Sequence, residues 1–181
     1  NDCYIESSPT NKNLQYISLL EVKKYITEIK ENDLGTKLIG LTGGEPFMNP
    51  DIIFILKYLL ENRFKVLVLS NGMRPMEIKF KELLALPNLN NLTIRISVDH
   101  FKKKSHERIR GSNTWKKVIK NLIWLSNKGF NLNIASKIKL GDSEKILREG
   151  FLFPLVPCIF ELQPNSQFES HTHLTCNNLA H

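Results

Sequence analysis

Apolar residues recur along the chain with two alternating periods. Leu19, Val22, Ile26 and Ile29 fall three or four residues apart, the spacing of one helical face. Ser18 and Glu21 form a capping box ahead of that face, so the spacing predicts a helix to about Lys30. A short apolar run over 37–41 ends in Thr42-Gly43-Gly44, which predicts a strand entering a glycine loop. Asn49-Pro50 supplies a cap and a first-turn proline. Ile52, Ile55, Leu56, Leu59 and Leu60 then make a second apolar helix face. The β-rich run 65–69 closes at Ser70-Asn71-Gly72, and a helix over 77–86 follows. Leu92, Ile94, Ile96 and Val98 alternate in a strand over 91–98. A helix over 114–128 carries Trp115, Val118, Ile119, Leu122 and Leu125, with Gly129 at its C′ position. A strand over 131–138 and a helix over 143–151 complete the pattern.

Strict helix–strand alternation implies parallel strands joined by helical crossovers. Such folds bind ligands at the carboxyl ends of their strands. The informative positions are therefore 42–46, 70–72, 97–100 and 136–137, all small or polar enough for a shared pocket rim apart from Val98 within the third.

Charge changes this picture at one end. The chain has 181 residues with 25 Lys+Arg and 18 Asp+Glu. Residues 1–153 sum to +9, whereas 154–181 carry only Glu161 and Glu169 and no base. The break predicts a core over 1–153 and an atypical tail over 154–181, disordered or out of frame, with Pro154 near the end of the ordered pattern. The longest apolar run, Phe151 to Phe160, holds two prolines and is too short to span a membrane. Three cysteines, at 3, 158 and 176, make an odd count that argues against a disulfide framework and fits a reducing, cytoplasmic setting. The densest basic cluster is Lys102-Lys103-Lys104 with Arg108 and Arg110, which reads first as a solvated helix face. No aromatic residues interleave it in the manner of single-strand binders.

Gly43 and Gly44 let a ligand approach bare backbone, and Glu45 with exposed carbonyls could accept hydrogen bonds from an ammonium group. Pro46 stiffens the exit. The loop is neither a phosphate loop, since it lacks the Lys-Ser/Thr ending, nor a dinucleotide fingerprint.

On these residues the chain resembles the radical S-adenosylmethionine enzymes. Gly43-Gly44-Glu45-Pro46 stands as their second-strand loop. Ser97-Val98-Asp99-His100 with His106-Glu107-Arg108-Ile109-Arg110-Gly111 looks like their fourth strand and the stretch after it. Cys3-Tyr4 matches the end of the Cys-x3-Cys-x2-Cys signature, with the two other cysteines falling before Asn1. Strings at 3–9, 42–51 and 69–76 resemble an uncharacterised bacterial group within the family. The resemblance implies an α/β partial parallel (β/α) barrel lacking its first strand. It implies a 4Fe-4S cluster with Cys3 as one ligand. It also implies that bound S-adenosylmethionine yields a radical that abstracts hydrogen from an unknown substrate. Gly43, Gly44 and Glu45 would hold the methionyl ammonium, with Pro46 closing the loop. Ser97 would reach the ribose or carboxylate, Arg110 a carboxylate, and Asn71 would line the same rim. An electron donor such as flavodoxin or ferredoxin would serve the intact parent. With one signature cysteine, the chain itself is expected to bind neither the cluster nor S-adenosylmethionine stably and to turn nothing over.

Other readings compete. A non-enzymatic basic module could bind nucleic acid through residues 102–110. A different α/β enzyme could use Glu45 and Asp99 as acid and base. Cys158 and Cys176 could serve an auxiliary cluster, and His171, His173 and Cys176 could grip zinc, though an unstructured tail explains both groups better. Trp115 and Trp124 read as core, as do Met73 and Met76.

Overall fold

The computed structural model describes residues 16–137, 143–155 and 159–163. Five strands form one sheet: β1 Leu38–Leu41, β2 Lys65–Ser70, β3 Leu92–Ser97, β4 Asn131–Lys137 and β5 Ile159–Gln163. All four pairings are parallel and the order is β1-β2-β3-β4-β5. Each strand lies beside its predecessor, with no reversal point. This is the winding of a (β/α) barrel opened into an arc, not that of a doubly wound sheet.

Seven helices fill the intervals: α1 Leu19–Glu31, α2 Ile52–Glu61, α3 Arg74–Glu77, α4 Phe80–Leu84, α5 Lys103–Arg110, α6 Thr114–Asn127 and α7 Glu144–Leu155. The α1 capping box forms as expected, with the Glu21 amide on Ser18 Oγ at 3.2 Å and the Ser18 amide on Glu21 Oε2 at 2.8 Å. The α2 cap shifts from the expected Asn49-Pro50 to Asp51. Asn49 instead holds the Asp51 amide and donates to the Ile17 carbonyl, both at 2.8 Å, while Asp51 accepts from the Leu19 amide at 3.0 Å. The start of α2 is thereby stitched to the start of α1.

The helices cover one face of the sheet. Val66, Val68, Leu92, Ile94, Ile96, Leu132 and Ile134 alternate onto that face and join Val22, Ile26, Ile55, Leu59, Val118 and Leu122 in a single core. The opposite face carries Leu67, Leu69, Thr93, Arg95, Ser97 and Asn133, all half-buried.

Three elements depart from the sequence pattern. The expected helix over 77–86 splits into α3 and α4. Helix α5 shows no apolar period, because it has few apolar residues, but it bears out the reading of the basic cluster at 102–110 as a helix face. Regular structure also continues past Pro154: α7 ends at Leu155 and β5 lies within the segment the charge break assigned to a tail. Register pairing with β4, Asn133 with Ile159 through Lys137 with Gln163, supplies the order that a short run among prolines does not signal by itself.

Candidate functional site

The carboxyl ends of β1, β2 and β3 lie side by side, about 5 Å apart per strand. Beyond β1 the chain enters Thr42-Gly43-Gly44-Glu45. Gly43 takes φ +129°, and no atom lies within 4 Å of where a Cβ would stand. Glycine is required there by the backbone, and the space beside it is open.

Glu45 locks this loop to the next strand. Its Oε1 accepts from Ser70 Oγ at 2.9 Å and from the Phe47 amide at 3.2 Å, and its Oε2 accepts from the Asn71 amide at 2.8 Å. Burial pushes the Glu45 carboxyl above its ordinary value, against the downward pull of these three hydrogen bonds. Pro46 and Phe47 bury themselves in the turn that follows, which fixes the exit from the loop. Ser70 extends the clamp, since its Oγ also accepts from the Gly72 amide at 3.0 Å. The Gly72 carbonyl in turn takes Asn121 Nδ2 at 2.9 Å from α6. Asn71 spends its side-chain oxygen on the Met73 amide at 2.9 Å, so its backbone and side chain are both engaged in shaping the rim.

At β3, Ser97 ends the strand on the uncovered face. Two residues on, the Asp99 carboxylate is 2% exposed and grips Arg110, the last residue of α5, through Nε at 2.5 Å and Nη2 at 3.3 Å. Ser136 Oγ donates to the Asp99 carbonyl at 2.9 Å. The guanidinium thus spends one edge on Asp99 and keeps Nη1 for another acceptor, with about a third of the side chain in solvent. His106, one turn before Arg110, is buried, and its Nδ1 has no hydrogen-bond partner among the described residues. Burial lowers its pKa, partly opposed by the Asp99 charge.

The structure therefore brings Glu45 onto Ser70 and Asn71, and Arg110 onto Asp99, two residues past Ser97. Gly43 and Gly44 lead into the first of these groups. Glu45 and Asp99 are each committed to protein partners and are not presented as an acid–base pair. Cys3, Cys158, Cys176, His171 and His173 lie outside the described residues. Among the described residues no group of three His, Cys, Asp or Glu side chains is arranged to hold a metal. The described residues hold none of the chain's three cysteines, the donors a four-iron cluster would need. No described helix is long and apolar enough to cross a membrane. The partnership of Asp99 with Arg110 and the anchoring role of Asn121 went unread in the sequence. Asn121 did leave a signal, an amide on the apolar face of α6 beside Val118, Ile119, Leu122 and Leu125.

A parallel strand–helix arc with a clamped glycine loop at its carboxyl rim defines a partial-barrel protein. The family model of the radical SAM superfamily matches residues 3–144. The chain belongs to that superfamily. It is 31% identical over 139 residues to the antilisterial bacteriocin subtilosin biosynthesis protein AlbA of Bacillus subtilis, covering 75% of this chain and 29% of AlbA. It is 26% identical over 117 residues to the GTP 3',8-cyclase of Haemophilus ducreyi, covering 63% of this chain and 32% of the cyclase. The chain thus spans less than a third of either relative's length. Streptococcus suis SuiB bound to S-adenosylmethionine shares the fold, with TM-score 0.69, 17% identity and coverage of 91% of this chain and 38% of SuiB. SuiB bound to its precursor peptide SuiA aligns with TM-score 0.66, 16% identity and coverage of 84% and 34%.

Proposed function

We propose that this chain carries the S-adenosylmethionine-binding rim of a radical SAM enzyme acting on an unknown substrate. One observation carries the reading: the open Gly43 loop is held by Glu45 against Ser70 and Asn71. That clamp leaves bare backbone facing free space, which suits the ammonium group of an amino-acid-like ligand. Gly43 and Gly44 would hold the ammonium, with Glu45 and Pro46 fixing the loop and Asn71 lining the rim. Ser97 would meet the ribose or carboxylate, and the free edge of Arg110 would take the carboxylate. Asp99 is the positioning residue for that guanidinium. In the intact parent a 4Fe-4S cluster, with Cys3 among its ligands, and an electron-donor protein would let the bound cofactor activate a carbon–hydrogen bond. The odd count of three cysteines in this chain supports a reducing, cytoplasmic setting for such an enzyme.

Equilibrium titration of the purified chain with S-adenosylmethionine, followed by calorimetry, tests the binding role. Saturable one-to-one binding is expected. Gly43→Val should weaken it at least about tenfold, because it fills the space and strains the backbone. Absence of binding to the parent chain, or an unchanged affinity in the variant, would remove the reading.

A further inference from the structure

The whole formal charge of the chain lies in one helical pair. Residues 102–120 carry Lys102, Lys103, Lys104, Arg108, Arg110, Lys116, Lys117 and Lys120 against the lone acid Glu107, a net +7. The other 162 residues hold 17 bases and 17 acids and sum to zero. This segment is α5, the turn at Gly111-Ser112-Asn113, and the first two turns of α6, and the two helices pack against each other.

Most of these charges have no partner. Arg110 is spent on Asp99, Lys120 on Glu77 at 2.7 Å, and Lys102 sits over the Phe101 ring at 5.5 Å. Lys103, Lys104, Arg108, Lys116 and Lys117 are exposed and have no carboxylate partner among the described residues. Elsewhere on the surface, lysines at helical spacing meet glutamates, as in Lys57–Glu61 and Lys145–Glu149.

Four of the lysines also sit at the unfavourable ends of their helices, whereas Arg108 and Arg110 lie in the last turn of α5, where cations are favoured. Lys103 and Lys104 open α5, and Lys116 and Lys117 open α6, with no acid in either first turn and no side-chain cap on either helix. A helix N-terminus carries partial positive charge and disfavours cations. Neither helix gains from its lysines, so the cluster is not explained by the stability of the elements that hold it. An anionic surface brought from outside would satisfy the lysines and both helix ends together.

We propose that the α5–α6 face docks an acidic polypeptide segment of a partner protein, on the rim where Arg110 meets Asp99. A polypeptide is favoured over single-stranded nucleic acid because the face offers no exposed aromatic ring for base stacking: Phe101 and Trp115 are half-buried, and Phe101 packs edge-on against Phe151; the duplex arm of the test decides between a polypeptide and a phosphate backbone.

The test uses fluorescence anisotropy with a labelled glutamate-rich peptide, and with single-stranded and duplex DNA of matched charge. The peptide should bind with salt-sensitive affinity and more tightly than either DNA. Lys103→Glu/Lys104→Glu/Arg108→Glu should weaken peptide binding at least about tenfold, and the milder triple glutamine variant should follow it in part. Lys24→Glu/Lys37→Glu/Lys81→Glu makes the same change in net charge elsewhere on the surface and should leave affinity within about twofold. Equal losses in the two reversal variants would overturn the proposal by reducing the effect to net charge. Tighter binding of DNA than of peptide would overturn it in favour of a nucleic-acid surface. Circular dichroism of each variant separates a lost surface from a lost fold.

Discussion

Glu45 illustrates how a half-buried carboxylate can fix the loop of a candidate site. It accepts three hydrogen bonds from Phe47, Ser70 and Asn71, so its oxygens are turned inward. Glu45→Gln would set an amide N–H₂ against one of these donors. The expected cost is about 1–3 kcal/mol in urea unfolding, with a matching loss of S-adenosylmethionine affinity. Burial raises the Glu45 pKa above 4.5, so the folded state binds that proton more readily than the unfolded chain does. The preference contributes stability fully below 4.5 and loses it as pH rises through the folded value. The stability of the wild type relative to Glu45→Gln should therefore decline as pH climbs from 4.5, read from unfolding midpoints across that range. His106 works in the opposite sense. Its folded pKa lies below 6.5, so the unfolded chain takes a proton that the native imidazole refuses. Stability should fall as pH drops below 6.5, and His106→Gln should flatten that slope. A slope unchanged by the substitution would assign the acid loss to other groups.

At the scale of elements, the chain is legible wherever an element packs one apolar face and silent where packing comes from elsewhere. The Ser18–Glu21 box, the α2 face and the β3 alternation could be read because each encodes its own burial. Helix α5 was legible only as a basic, solvated helix face, since its one buried side chain is the polar His106 and it is held by α6 and by the Asp99–Arg110 pair. Strand β5 needed the register of β4 to exist. The glycine loop was legible as a site from its position after a strand. The inward turn of Glu45 was not, because the donors that fix it lie 25 and 26 residues away at Ser70 and Asn71. The junction between β2 and α3 gives an element-scale prediction. Gly72 holds φ +68°, and a Cβ there would stand 2.8 Å from Ile96 Cγ2 and 2.9 Å from Val118 Cγ2. Neither branched chain can turn away freely, because both are fully buried. Gly72→Ala should cost about 3 kcal/mol from strain and overpacking together. Calorimetric unfolding would show it as a lowered Tm.

Across the whole molecule, binding an S-adenosyl group and holding iron are separable demands, and the proposed function asks them of this chain unequally. The rim residues that would receive the cofactor lie on three adjacent strand ends and are held by hydrogen bonds internal to the described fold. A cubane cluster asks instead for three thiolates at close quarters. The 181 residues contain three cysteines in all, at 3, 158 and 176, and only Cys3 resembles a member of the family signature. A polypeptide of this sequence, reconstituted anaerobically with iron and sulfide, should fail to give the visible absorbance of one four-iron cluster per chain. The same sample should still bind S-adenosylmethionine in the calorimeter. The two readouts can move apart, and that makes the argument testable as a whole. Stoichiometric iron lost on Cys3→Ala would show that distant cysteines complete the site. Stoichiometric iron with no cofactor binding would reverse the assignment of what this part of the barrel does.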